Sequence, residues 1–196
     1  MKKYLFIAFA FVCLSCQSSS AEQKQVANCL EREWKNIDID SIPAERKSFD
    51  LDNDVDQHGG SFSCTSYITP FEVNQFIEKL KVVVKNNNMP NLEPLIYFPF
   101  VLIHERKTKG EKADTMVIKS MEEFTPLYKK VFYPEMKKLI ECISLDKLAT
   151  SPSSGIDAAF GGLIINRYAE SRRLYLTSVS MDKPPVKKWM DKFCSN

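Results

Sequence analysis

Histidine is nearly missing from this chain, with only His58 and His104 among 196 residues. A metal centre built on imidazoles is excluded by that count, and nothing in the sequence calls for a cofactor. Basic blocks are missing too. Once Lys2 and Lys3 are set aside with a leader described below, 25 basic residues face 25 acidic ones. A balanced chain without a cationic run argues against nucleic acid as the main partner. No internal repeat, low-complexity tract or linker interrupts the sequence. The chain is long enough, and at 44% hydrophobic apolar enough, for one ordinary globular domain with its own core.

The N-terminus bears on compartment. Met1-Lys2-Lys3 is a short basic start, Tyr4 to Val12 is an apolar run, and small polar residues follow. That pattern predicts a secretory signal over residues 1–21, too short to span a membrane. Two cleavages fit. Ser19 and Ala21 are small residues ahead of a cut before Glu22, which would release a periplasmic or secreted protein. Alternatively, Leu14-Ser15-Cys16 is similar to a bacterial lipobox, with Cys16 as the lipidated N-terminus of an outer-membrane-anchored lipoprotein. Cys13 stands there where leucine is usual. Either way the protein is expected to be exported, and the membrane is reached only through such an anchor. Four cysteines then remain, Cys29, Cys64, Cys142 and Cys194. An even number in an oxidising compartment predicts two disulfides with three connectivities open. Cys29–Cys64 with Cys142–Cys194 is the first choice, because each bridge would tie a terminal segment to the body. Bridges closing loops of that size contribute roughly 3–4 kcal/mol each.

Along residues 22–196, periodicity predicts a helix over Glu22–Lys35. A polar stretch to residue 60 has no sustained period. Asp50, Asp52, Asp54 and Asp56 alternate within it. A calcium loop fails because the sixth and twelfth positions, which need Gly and Glu, are Val55 and Ser61 or Gln57 and Ser63. An exposed acidic turn is the expectation. Phe62–Ile68 is a strand candidate. Thr69, Pro70 and Glu72 form a capping box ahead of a helix that Asn86-Asn87-Asn88 ends. Tyr97 to His104 and Thr115 to Ile118 are strand candidates flanking a charged turn around Gly110. Val117–Ile143 reads as an amphipathic element broken at Pro134, with Pro126 unaccounted for. Ala158–Tyr168 and Arg173–Ser180 are strand candidates, with Gly161-Gly162 suited to a bulge or bend rather than a phosphate loop. Pro184-Pro185 opens a last helix. Together these predict an α+β fold with an antiparallel sheet.

The helix Phe71–Asn86, the run LIYFPF, the segment KSMEEFTPLYKKVFYPEMKKLI and the pair GIDAAFGGLIINRY and LYLTSVS occur in an order that resembles a secreted bacterial branch of the nuclear-transport-factor-2-like superfamily. The resemblance covers residues 71–180. It implies a strongly curved sheet wrapped on helices into a cone with an apolar pocket, the helices before and after it being additions. It also implies that any acid, base or oxyanion donor would lie inside the cone.

Three residues are candidates for such chemistry: His104 at the end of an apolar strand face, Asp157 at the mouth of a hairpin, and Tyr128. No carboxylate partner for His104 is legible. Ser153-Ser154-Gly155 lacks the flanking glycines of a nucleophile elbow. The expectation is therefore an exported non-catalytic binding protein that recognises a protein partner or a small apolar ligand. By analogy, an immunity-type inhibitor of an envelope-active toxin is its concrete version. A cone-pocket isomerase or hydratase and a structural envelope lipoprotein are the alternatives.

Overall fold

A computed structural model describes residues 18–104, 114–168, 171–181 and 183–194, with side chains from residue 26 onward. Cys16, most of the predicted leader and the charged turn around Gly110 lie outside the described residues. No helix among the described residues is long and apolar enough to cross a membrane.

The chain opens with helices: α1 (Ser18–Ile37), α2 (Ala44–Asn53), α3 (Phe62–Thr65), α4 (Pro70–Lys85) and α5 (Met89–Leu92). The first begins within the predicted leader and runs past the predicted Lys35 end. The second occupies the stretch read as irregular. Pro43 stands at its N-cap and Glu45 in its first turn, a start signal that the polar composition hid. The third replaces the predicted strand at Phe62. Ser61 caps it by accepting from Cys64 N, so a local hydroxyl outweighs the β-favouring side chains around it. The fourth has the expected capping box, with Thr69 and Glu72 satisfying each other's backbone N–H groups.

Strands β1 (Ile96–Ile103) and β2 (Thr115–Ile118) follow, then the short helices α6 (Met121–Phe124), α7 (Tyr128–Val131) and α8 (Pro134–Cys142). Strands β3 (Ala149–Ser151), β4 (Gly155–Ala158), β5 (Leu163–Arg167) and β6 (Leu174–Ser180) come next, and helix α9 (Lys183–Phe193) ends the order. Pro126 sits in a 3-10 turn, Thr125–Leu127, between α6 and α7. That region is thus broken at both prolines. Gly161-Gly162 lies in the turn between β4 and β5 rather than inside one strand.

The six strands form one sheet in the order β2-β1-β6-β5-β4-β3. The sheet is mixed, not purely antiparallel, because β1 and β6 run parallel. The chain leaves one edge through β2, crosses by α6–α8 to the other edge at β3, and returns as an antiparallel meander. Four alternating strands bring β6 back in the direction of β1. Both β2 and β3 remain edges, so the sheet is open.

One large apolar cluster joins α4, the sheet, α6–α8 and α9, with Phe62, Phe100, Phe124, Phe132 and Trp189 almost fully buried. Phe124 is its aromatic hub, edge-on to Phe100 at 5.3 Å and 6.2 Å from Phe132. A smaller cluster, Leu30, Trp34 and Ile42, lies under α1. Disulfides join Cys29 to Cys64 and Cys142 to Cys194, with Cα separations of 5.2 and 5.7 Å, the connectivity expected first. They hold α1 to α3 and the end of α8 to the C-terminus.

Candidate functional site

The aspartate-rich segment is not an exposed turn, although Asp52, on α2, does face solvent. Asp50 and Asp54 are wholly buried and Asp56 nearly so, each with its carboxylate spent on donors of the chain. Asp50 accepts from Trp34 Nε1 and Phe71 N, both at 2.8 Å, and so ties α1 to the start of α4. Asp54 accepts from Ser61 Oγ at 2.5 Å, Ser63 Oγ at 2.7 Å and Ser63 N at 2.8 Å. Asp56 accepts from His58 N, Gly60 N, Thr150 N and Thr150 Oγ1. A Cβ on Gly60 would come within 2.6 Å of both Asp56 Oδ2 and Thr150 Oγ1, so only glycine lets that clasp close.

These environments push the carboxyls in opposite directions. Burial raises Asp50 above the usual carboxylate value even though Trp34, the Phe71 N–H and the charge of Arg46 oppose it. Burial likewise raises Asp54 against its serine donors. Burial works against ionisation of Asp56 too, but its donors outweigh it and hold the group below its ordinary value.

The three candidates for chemistry are not brought together. His104 follows β1 and is half-buried; its backbone N–H donates to Asp114 O at 2.8 Å. Asp157 lies on β4, three strand positions from β1, or about 14 Å at ordinary spacing. Its Oδ1 accepts from Gly161 N at 2.7 Å, which fastens the turn Ala159-Phe160-Gly161. All three residues of that turn have positive φ. Burial raises the Asp157 carboxyl, opposed by the Gly161 N–H and by the charge of His58. The histidine beside it is therefore His58, not His104. Neither Asp157 nor His58 lines any of the three concavities described next.

Tyr128 does line one. Its buried ring stands at the start of α7, and its hydroxyl lies 3.3 Å from both Val84 O and Asn87 Oδ1. Burial raises that phenol above its usual value. Asn87, in the left-handed conformation just past α4, also accepts from Lys137 Nζ at 2.6 Å. Around them opens a groove of about 990 Å³, lined by Met89, Pro126, Tyr128, Phe132 and Pro134 together with Lys129, Lys137 and Lys138. The two prolines that break the α6–α8 region are the ones that shape it.

Two further concavities, of about 390 and 510 Å³, share Arg167 and Arg172. At their junction Glu33, 3% exposed, receives Arg32 Nε at 2.8 Å and Arg167 Nη1 at 3.4 Å. Arg167 also donates to Tyr67 O, and Arg172 to Asn36 O at 2.9 Å. No local pattern in the sequence points to this cluster, because Glu33 and Arg167 are 134 positions apart. Among the described residues no three His, Cys, Asp or Glu side chains converge as a metal site.

Compared with protein-family models, with curated proteins and with solved structures, the chain has no match in any of the three.

Proposed function

We propose that this is an exported, non-catalytic binding protein that recognises another protein, and that an apolar segment of that partner seats in the groove over Tyr128. The observation that carries the reading is the groove itself: about 990 Å³ of open, largely apolar concavity built from the only candidate residue that faces a cavity of that size. The dispersal of His104, Asp157 and Tyr128 over separate elements supports a role in binding rather than turnover. Two disulfides and the signal-like start support export. The groove's apolar wall with a lysine rim matches the usual anatomy of a protein interface, apolar at the centre and polar around it. An inhibitor of an envelope-active toxin is the concrete form of this role. The kinship to the nuclear-transport-factor-2-like superfamily is likewise a proposal. It is supported by the succession of α4, β1, α6–α8 and the β5–β6 hairpin.

Position-specific photo-crosslinking in periplasm tests the reading. A photoreactive residue at Lys129 or Lys138, both groove-lining, is expected to trap one discrete protein. The same residue at Glu78, on the exposed side of α4, is expected to trap none. Equal labelling from all three positions, or no adduct from the groove, would overturn it.

A further inference from the structure

The pair of concavities around Arg167 and Arg172 is rich in arginine. Five cationic side chains line them, Arg32, Lys79, Arg167, Arg172 and Arg173, against two carboxylates, Glu33 and Glu72. That local excess of three positive charges sits in a chain whose residues 22–196 balance to zero. Both carboxylates are already engaged by the chain. Glu33 is buried beneath Arg32 and Arg167, and Glu72 is held by Thr69 in the capping box.

The cations, by contrast, have donors left over. A guanidinium carries five N–H groups in a planar fork. Arg172 spends one nitrogen on Asn36 O, and Arg167 uses Nη1 alone for Glu33 and Tyr67. Arg173 and Lys79 are exposed, and neither side chain has a hydrogen bond or ion pair to another described residue. Buried in the wall of the same cleft, Ser66 Oγ has no hydrogen-bond partner among the described residues. Beside it Tyr67 presents a ring that is 57% exposed, with the Arg32 guanidinium 4.7 Å from its centre.

We propose that this two-lobed cleft binds an acidic segment of a protein partner, with successive carboxylates on the Arg167–Arg172–Arg173 cations and Tyr67 packed against the segment's backbone. Two adjoining lobes joined through shared arginines fit a ligand with several negative charges in a row better than a single small anion. Arginine and tyrosine are the side chains enriched where proteins meet, and the fork geometry matches carboxylates. The inference rests on the partner being a protein, but not on the groove over Tyr128, with which the cleft shares no lining residue.

Isothermal titration of the full mature chain with a capped hexaglutamate peptide at low salt provides the test, with inorganic phosphate titrated separately. The peptide is expected to bind at least tenfold more tightly than phosphate and to weaken steeply as salt is raised. The double variant Arg172→Gln/Arg173→Gln should lose at least tenfold. Neither side chain is buried, so an unchanged melting temperature is expected to certify the fold. Lys129→Gln/Lys138→Gln, in the groove, should bind the peptide as the native chain does. If this peptide binding holds while crosslinking from the groove fails, the groove reading falls and the cleft stands. No peptide binding at millimolar concentration, undiminished binding by the Arg172/Arg173 variant, or phosphate binding as tightly as the peptide would each overturn the proposal.

Discussion

Asp54 and Asp56 lie two positions apart yet answer pH with opposite signs. The raised Asp54 carboxyl means the folded chain holds a proton that the unfolded chain has released between the ordinary value of 3.8 and the raised one. Its contribution to stability therefore falls as pH rises through that window. Asp56 is lowered from 3.8, so its contribution is present above that value and lost as pH falls through the folded one. Asp54→Asn should flatten the decline on the high-pH side of the stability profile, and Asp56→Asn should remove the acid limb. Urea unfolding midpoints between pH 3 and pH 7 would register both, and profiles that stay parallel to the native one would contradict the assignment. Phe160 makes a second prediction at this scale. It is 57% exposed and sits at φ 55°, a conformation that costs a side-chain-bearing residue roughly 1–2 kcal/mol. Phe160→Gly should raise stability by about 0.5–1 kcal/mol, measured by chemical denaturation. The aspartates were legible as a group but not as a buried one. Alternation suggested a loop, whereas Asp50 and Asp54 are one helical turn apart and reach donors on three other segments.

At the level of elements, the sharpest local signal is also the one that forms as expected. The box at Thr69 and Glu72 depends on four adjacent residues, and it forms as expected. Thr69→Ala should cost about 1–2 kcal/mol, visible as a lower unfolding midpoint with an unchanged slope. At α6 the same pattern is only half realised. Ser120 accepts from Glu123 N, but Glu123 reaches back to Lys119 N rather than to the N-cap itself. The terminal helix α9 forms where Pro184-Pro185 predicts it, with Val186 and Trp189 fully buried. Elements whose identity depends on distant partners were misread. The sheet looks purely antiparallel until β1 is found running parallel beside β6, whereas Phe62 is a local misreading, a strand-like run that the adjacent Ser61 caps into a helix. The arginine cleft belongs with the sheet. Each lining residue is ordinary alone, and only the return of β5 and β6 past α1 assembles them.

For the whole molecule, the two disulfides close stretches separated by 35 and 52 positions, which on the chain-entropy relation is about 4 kcal/mol each. Reduction should therefore lower the melting temperature steeply. The Cys142→Ser/Cys194→Ser variant should loosen α9 first, seen as faster amide exchange over Lys183–Phe193 while α4 stays protected. Uniform exchange across the chain would argue against that order of release. The polar clasps act over longer reaches still: Asp56 to Thr150 spans 94 positions, Glu33 to Arg167 spans 134, and Asn36 to Arg172 spans 136. That separation has a kinetic meaning. As the chain is made from its N-terminus, the first helices emerge long before any of these partners exists. Buried Glu33 meets Arg167 only once the last fifth of the chain is present, whereas the Cys29–Cys64 bridge and the Trp34–Asp50 bond can fix α1 to its neighbours well before that. Contacts of such range slow folding, so closure of the arginine cleft over α1 is expected to be a late step.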